Sequence, residues 1–339
     1  MGRLVLILLV GLAAYGAALL VWNGEREVVI ESLGPLAAMP SPPGRELTIM
    51  TWNIGYAGLG AESDFRADGG KSLRPPSRQA VEKNRAGVID TLRQSSPDVI
   101  LMQETARPSG LTRGVDVLGA IATALAGRDN AFSVDIGPRF VPPPFNIRNG
   151  LFTSVGWGGA RREVLPLPLE PRLFGAVTRH YHAQVIRLPI AGDDREWVIA
   201  DVHLSAFDQG AKTRLSQLRA ALGFAEREYA SGNYVVLGGD WNLEFGRPKR
   251  LSTTEERFLS WVHPFPYAEL KEGWTAAFDA GVPSVRTNER PYRRGENFTT
   301  IIDGFIVSPN VVLESVAAAD LDFQWTDHHP ATARFHASD

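Results

Sequence analysis

Tyr234-Val235-Val236-Leu237-Gly238-Gly239-Asp240-Trp241-Asn242 is the stretch that decides the fold. Its opening apolar run is that of a strand buried on both faces. It hands an ionisable residue, Asp240, to the point where strand gives way to loop. The run before it, Trp197-Val198-Ile199-Ala200-Asp201-Val202, delivers His203 in the same manner. Between them a helix is expected, with Leu215, Leu218, Leu222 and Ala225 on its buried stripe and Arg214, Arg219 and Arg227 outside it. Strand, helix, strand is an α/β pattern.

The construction recurs in both directions. Leu47 to Trp52 reads as a strand ending at Asn53, and Gly55, Gly58 and Gly60 then announce a long loop running to Pro76. Val81, Val88, Ile89 and Leu92 share one helix face that stops before Pro97. Val99 to Gln103 is the next strand, with Glu104 at its end; Thr300 to Ile302 leads to Asp303, and Trp325-Thr326 leads to Asp327-His328. A lone Asp after a strand is ordinarily a turn or cap residue. Its recurrence points to a site, because strand ends are rigid platforms whereas a sheet interior cannot host unpaired charge.

Of 339 residues, 44% are hydrophobic and 22% charged, enough for a sizeable core. A formal charge of −3 excludes the net basic field of proteins that coat duplex nucleic acid, though not local basic patches. The absence of cysteine excludes disulfides, thiolate nucleophiles and zinc–thiolate sites.

Leu4 to Trp22 carries no charge and follows Arg3. Its length suits a hydrocarbon core of about 30 Å, and Leu19-Leu20-Val21-Trp22-Asn23 is a poor cleavage site. Residues 1–23 therefore read as a single-pass anchor with a cytoplasmic N-terminus and the folded domain outside the cytoplasm; secretion after signal cleavage is the alternative. Residues 24–45, with Pro35, Pro40, Pro42 and Pro43, read as a linker, and 46–339 as one folded domain.

Thr51-Trp52-Asn53, Gln103-Glu104, His203-Leu204, Gly239-Asp240-Trp241-Asn242, Ile302-Asp303-Gly304-Phe305 and Thr326-Asp327-His328-His329-Pro330, in that order, resemble the endonuclease/exonuclease/phosphatase superfamily. The resemblance spans Leu47 to about Phe335. It implies a four-layer sandwich of two facing mixed sheets with outer helices, here preceded by a transmembrane helix. It also implies metal-dependent hydrolysis of phosphate esters.

By that resemblance Glu104 is the principal metal ligand, with Asn53 beside it and Asp327 holding the ion directly or through water. An all-oxygen set suits Mg²⁺, with Mn²⁺ the alternative, over zinc. Asp240 orients or deprotonates the attacking water, and Asn242 donates to a phosphoryl oxygen. His203 contacts the phosphate or assists the leaving oxygen, and Asp303 orients His328. Trp241 and Gly304 stand where Phe and Tyr are common, which predicts an unusual pocket wall.

Arg139 to Gly150 combines prolines, aromatics and cations, with Arg139, Arg148 and Asn149 as substrate-binding candidates. Arg293 belongs to a second basic cluster with Arg286, Arg290 and Arg294. The expected substrate is a phosphate ester of either nucleic acid or a lipid headgroup. A tethered binding module without catalysis is the remaining reading, opposed by the presence of Glu104, Asp240, Asn242, Asp303 and His328.

Overall fold

The structure, a computed structural model, describes residues 2–23, 27–34, 43–142, 146–170, 179–206 and 208–338. Strands are numbered along the chain. One sheet has the order β1 (Ile30–Ser32), β4 (Asp129–Ile136), β5 (Asn149–Val155), β3 (Val99–Ala106), β2 (Glu46–Asn53), β15 (Ala331–Ala337), β14 (Val311–Ala318). The second has the order β10 (Thr275–Ala277), β13 (Asp303–Val307), β9 (Tyr234–Asp240), β8 (Glu196–His203), β7 (His182–Pro189), β6 (Arg161–Pro166). A short ribbon pairs β11 (Val285–Arg286) with β12 (Thr299–Thr300). Both large sheets are mixed: β2 runs parallel to β3 and β8 to β9, while their other pairings are antiparallel.

The sheets face each other across a core that includes Ile49, Leu101 and Phe335 from one and Ile199, Val236 and Phe305 from the other. Helices α2 (Arg78–Ser95) and α3 (Val117–Ala124) cover the outside of the first sheet through Val81, Val88, Leu118 and Ile121. Helix α4 (Lys212–Ala230) covers the second through Leu218, Leu222 and Ala225. Ser77 caps α2 by accepting from the Ala80 amide at 3.0 Å, and Ser96 ends it in the left-handed region just before Pro97. This is the expected four-layer α/β sandwich.

Topology gathers the polar residues at one edge. The parallel pairs β2/β3 and β8/β9 finish there. β13 and β15, antiparallel to β9 and β2, begin there, with Asp303 opposite Asp240 and Ala331 opposite Thr51. Asp303 thus opens a strand instead of following one, and Asp327-His328 lie in the bend before β15. β9 packs tightly against its neighbouring strands β8 and β13 at this edge because Gly238 and Gly239 carry no side chain. A Cβ on Gly239 would lie 1.8 Å from the Val202 carbonyl oxygen, and one on Gly238 would meet the Phe305 ring at 2.8 Å.

At the N-terminus, α1 (Gly2–Trp22) is long and apolar enough to cross a membrane or to serve as a signal sequence. The stretch expected to be linker contributes β1, which pairs antiparallel with β4 at the sheet edge. Residues 24–26 and 35–42 of that linker lie outside the described residues.

Candidate active site

A cleft of about 200 Å³ opens at the converging edge, and its walls include Asn53, Glu104, His203, Asp240, Asn242, Asp327 and His328. At its centre, His328 Nδ1 lies 2.8 Å from Asp303 Oδ2, and His328 Nε2 lies 3.8 Å from Asp240 Oδ2. Asp303 is held by the Ser284 hydroxyl, which donates to it at 2.6 Å and accepts from the amides of Ile302 and Asp303. Burial alone would lower the His328 pKa, but the charges of Asp303, Asp240 and Asp327 overcome it and raise it to about 10.

His203 has the opposite environment. Its Nε2 is 3.8 Å from Asp240 Oδ2, but burial and the positive charges of Arg179 and His328 push its pKa well below the ordinary value. The two histidines flanking Asp240 therefore differ in charge at neutral pH: His328 is cationic and His203 neutral. Asp240 is raised to about 6, first by burial and then by Asp303, with partial relief from His328, Asn53 and the Asn242 amide.

Glu104 sits in a bulge of β3, where the register with β5 shifts between Met102 and Thr105. Its φ of +55° is uncommon for a side-chain-bearing residue. β3 continues past the bulge to Ala106, so Glu104 projects from inside a strand and not from its end. Arg179 Nη2 approaches it at 3.7 Å while Arg179 Nε donates to Asp135 at 2.9 Å. Burial nevertheless raises Glu104 to about 7, and repulsion from Asp327 and Asp135 adds to the effect.

On the opposite wall the Asn288 amide donates to Asp327 at 2.6 Å and to Asp68 at 3.0 Å. Asn53 Nδ2 donates to Asp240 at 2.9 Å, and Asn53 Oδ1 accepts from the Gly55 amide at 3.0 Å, leaving one oxygen lone pair. Asn242, with φ +50°, gives one amide hydrogen to the Leu204 carbonyl and its backbone N–H to Asp240. Tyr56 Oη, Asn149 Oδ1 and Asn288 Oδ1, on residues of the cleft wall, are buried and have no hydrogen-bond partner among the described residues. Crowded carboxylates, amide oxygens and few cations form a donor set that fits a hard divalent cation. Of two groups of potential ligands among the described residues, the buried one is Asp240, Asp303 and His328, but the His328–Asp303 bond already uses one histidine nitrogen.

The Endonuclease/Exonuclease/phosphatase family profile matches residues 50–328. The chain belongs to that family. Its members are in general metal-dependent hydrolases of phosphate esters, commonly using Mg²⁺. No curated protein sequence matches. Among solved structures, a family protein from Beutenbergia cavernae superposes with a TM-score of 0.55 at 18% identity, covering 87% of this chain and 72% of its own. The human Nocturnin catalytic domain with bound sulfate gives 0.54 at 15%, covering 88% and 97%. D. rerio TDP2 complexed with a single-strand DNA product gives 0.53 at 13%, covering 86% and 99%. At these identities the likeness is one of fold.

Several expected features lie elsewhere than the sequence suggested. Asn149 lines the cleft, but Arg139 and Arg148 line a separate hollow; Arg148 does so because successive residues of an extended chain face opposite sides. Arg293 is exposed and 3.6 Å from Glu296, away from the cleft wall. Its neighbour Arg286 is buried and holds the carbonyls of Leu59 and Gly60. Arg214, expected on the outer face of α4, is fully buried, pairs with Asp208 at 2.7 Å and donates to the Asn242 carbonyl at 2.6 Å. Trp241 packs behind the site against Phe245 and Phe265 and donates to the Gly304 carbonyl, so it is no part of the pocket wall. Arg179, Asp135, Asn288 and Ser284 take part without any signal in the sequence, whereas Asp68 lies in the Gly-rich loop that leaves Asn53.

Proposed function

We propose that the chain is a divalent-metal-dependent phosphodiesterase that hydrolyses a P–O bond by attack of water. The observation that carries this reading is Asp240 between one cationic and one neutral histidine, with Glu104 and Asp327 in the same cleft. Environments that push neighbouring pKa values apart separate acid from base. Asp240, raised only to about 6, is ionised at neutral pH and takes the water proton. His328, kept cationic by Asp303, offers Nε2–H to a phosphoryl oxygen as negative charge develops. Neutral His203 and the free amide hydrogen of Asn242 complete the phosphate contacts. Glu104, Asp327 and the remaining lone pair of Asn53 would hold Mg²⁺, which when bound supplies Lewis-acid stabilisation of phosphoryl charge. Helix α1 would act as an uncleaved anchor holding the domain outside the cytoplasm, with Ile30–Ser32 of the connecting stretch docked on the first sheet as β1.

A lipid phosphodiester is favoured over a nucleic-acid backbone by the cleft wall. Leu59, Phe65, Leu111, Ile136, Ile147 and Trp261 line it, whereas beside the His328 imidazolium its arginines are Arg179, held by Asp135, and Arg286, occupied by backbone carbonyls. That composition suits one phosphate on an apolar body better than a polyanion. The test is a turnover panel of single-stranded DNA, phospholipid and phosphomonoester with Mg²⁺. Cleavage of monoesters alone would refute the phosphodiesterase reading.

A further inference from the structure

Outside the cleft, a hollow of about 540 Å³ opens beside the exit of α1, lined by Arg107, Arg139, Arg148, Glu27 and Glu31 together with apolar residues such as Val29. Asn23, just beyond α1, fixes its position. The Asn23 side chain accepts from the Arg139 amide at 2.6 Å and donates to the Arg139 carbonyl at 3.1 Å. Tyr15 donates through its hydroxyl to the Phe140 carbonyl, so Arg139 and Phe140 lie back against the last two turns of α1, roughly 10 Å of helix. Phe140 exposes 64% of its surface at that level. Within the hollow Arg107 pairs with Glu31, but Arg139 and Arg148 make no ion pair among the described residues.

We infer that this hollow binds the phosphate of an anionic membrane lipid, clamping the catalytic domain against the bilayer that α1 enters. The inference rests on reading α1 as an uncleaved anchor. If α1 spans the membrane, Arg139 is held by Asn23 at the depth where headgroup phosphates lie, with Phe140 directed at the apolar boundary. Two arginines without carboxylate partners match a phosphate in charge, and the volume is in the range of small-ligand sites. The clamp also orients the enzyme. Ile136, Ile147 and Asn149 line the cleft while their chain neighbours Gly137 and Arg148 line the hollow, so a bound headgroup holds the cleft rim at the membrane surface.

The test uses the full-length chain in mild detergent, titrated with phosphatidylglycerol or phosphatidylcholine and read by native mass spectrometry. Phosphatidylglycerol should bind as one tight equivalent, weakened about fivefold by each of Arg139→Gln and Arg148→Gln, the scale of one basic residue at an anionic surface. Phosphatidylcholine binding should not respond. Equal affinity for the two lipids, or wild-type phosphatidylglycerol binding by the folded double variant, overturns the inference. If Arg139→Gln fails to fold, Arg148→Gln alone carries the test. Carbonate washing of membranes separates the two readings. A chain that washes off refutes the anchor and this inference with it, whereas one that stays but shows no phosphatidylglycerol preference refutes this inference only.

Discussion

Asp303 and His328 meet at 2.8 Å through Oδ2 and Nδ1, which leaves His328 Nε2 directed toward Asp240. Asp303→Asn keeps the shape of this contact and removes its charge. The rate should fall on the order of a hundredfold, the scale of a mispositioned acid–base group. The His328 pKa is raised to about 10, so the protonated form is lost only as pH rises through that value. The alkaline limb of the pH–rate profile should therefore lie near 10 in the wild type and move to lower pH in Asp303→Asn. An unchanged limb would remove His328 as the titrating group.

Asp240→Asn separates water activation from phosphate positioning. It should lower kcat by at least about a hundredfold with KM nearly unchanged, because Asn preserves an acceptor but not the charge. In the wild type the rate should fall as pH drops through about 6, where Asp240 takes up its proton. Steady-state kinetics showing full turnover in Asp240→Asn would contradict the assignment.

Removal of divalent metal should make stability depend on pH in a definite direction. Burial, aided by neighbouring carboxylates, raises Glu104 and Asp68 to about 7, and burial raises Asp201 to about 8. The folded state thus holds protons that the unfolded chain has already released, a stabilising contribution present at low pH and lost as pH rises through those values. His328 acts in the same direction above its ordinary value. In chelator, the melting temperature should fall between about pH 6.5 and 8, and Mg²⁺ should restore it more at the higher pH. A flat or rising melting temperature in chelator would oppose this account.

Gly239→Ala should destabilise the fold by at least ~3 kcal/mol. The added Cβ would lie 1.8 Å from the Val202 carbonyl oxygen, which is fixed backbone in the neighbouring strand. Near-native thermal unfolding of that variant would show that β8 and β9 can separate where the site is built.

The strand ends were legible because apolar runs such as Val235 to Leu237 and Val198 to Ala200 are buried on both faces and can hardly be anything else. The edge at which Asp303 and His328 enter was legible only as residue order. Their placement depends on antiparallel return of β13 and β15, and pairing across more than 60 residues leaves no local pattern. Arg148 and Asn149 show the limit at finer scale. They are adjacent in a segment read as one cationic loop, yet they face different cavities, because strand β5 begins at Asn149 and Arg148 leads into it. Arg214 was misplaced for a related reason: helical periodicity put it outside, but its guanidinium is drawn inward by Asp208 and the carbonyls of Asn242 and Trp261.

The most direct measurement is phosphodiester turnover by the purified full-length chain in Mg²⁺ and in excess chelator, beside folded Glu104→Gln. Glu104 is placed by a strained bulge at the head of the cleft, so both chelator and the substitution should remove nearly all turnover while leaving the fold intact. Undiminished hydrolysis in chelator, or wild-type turnover by Glu104→Gln, would contradict the metal-dependent mechanism.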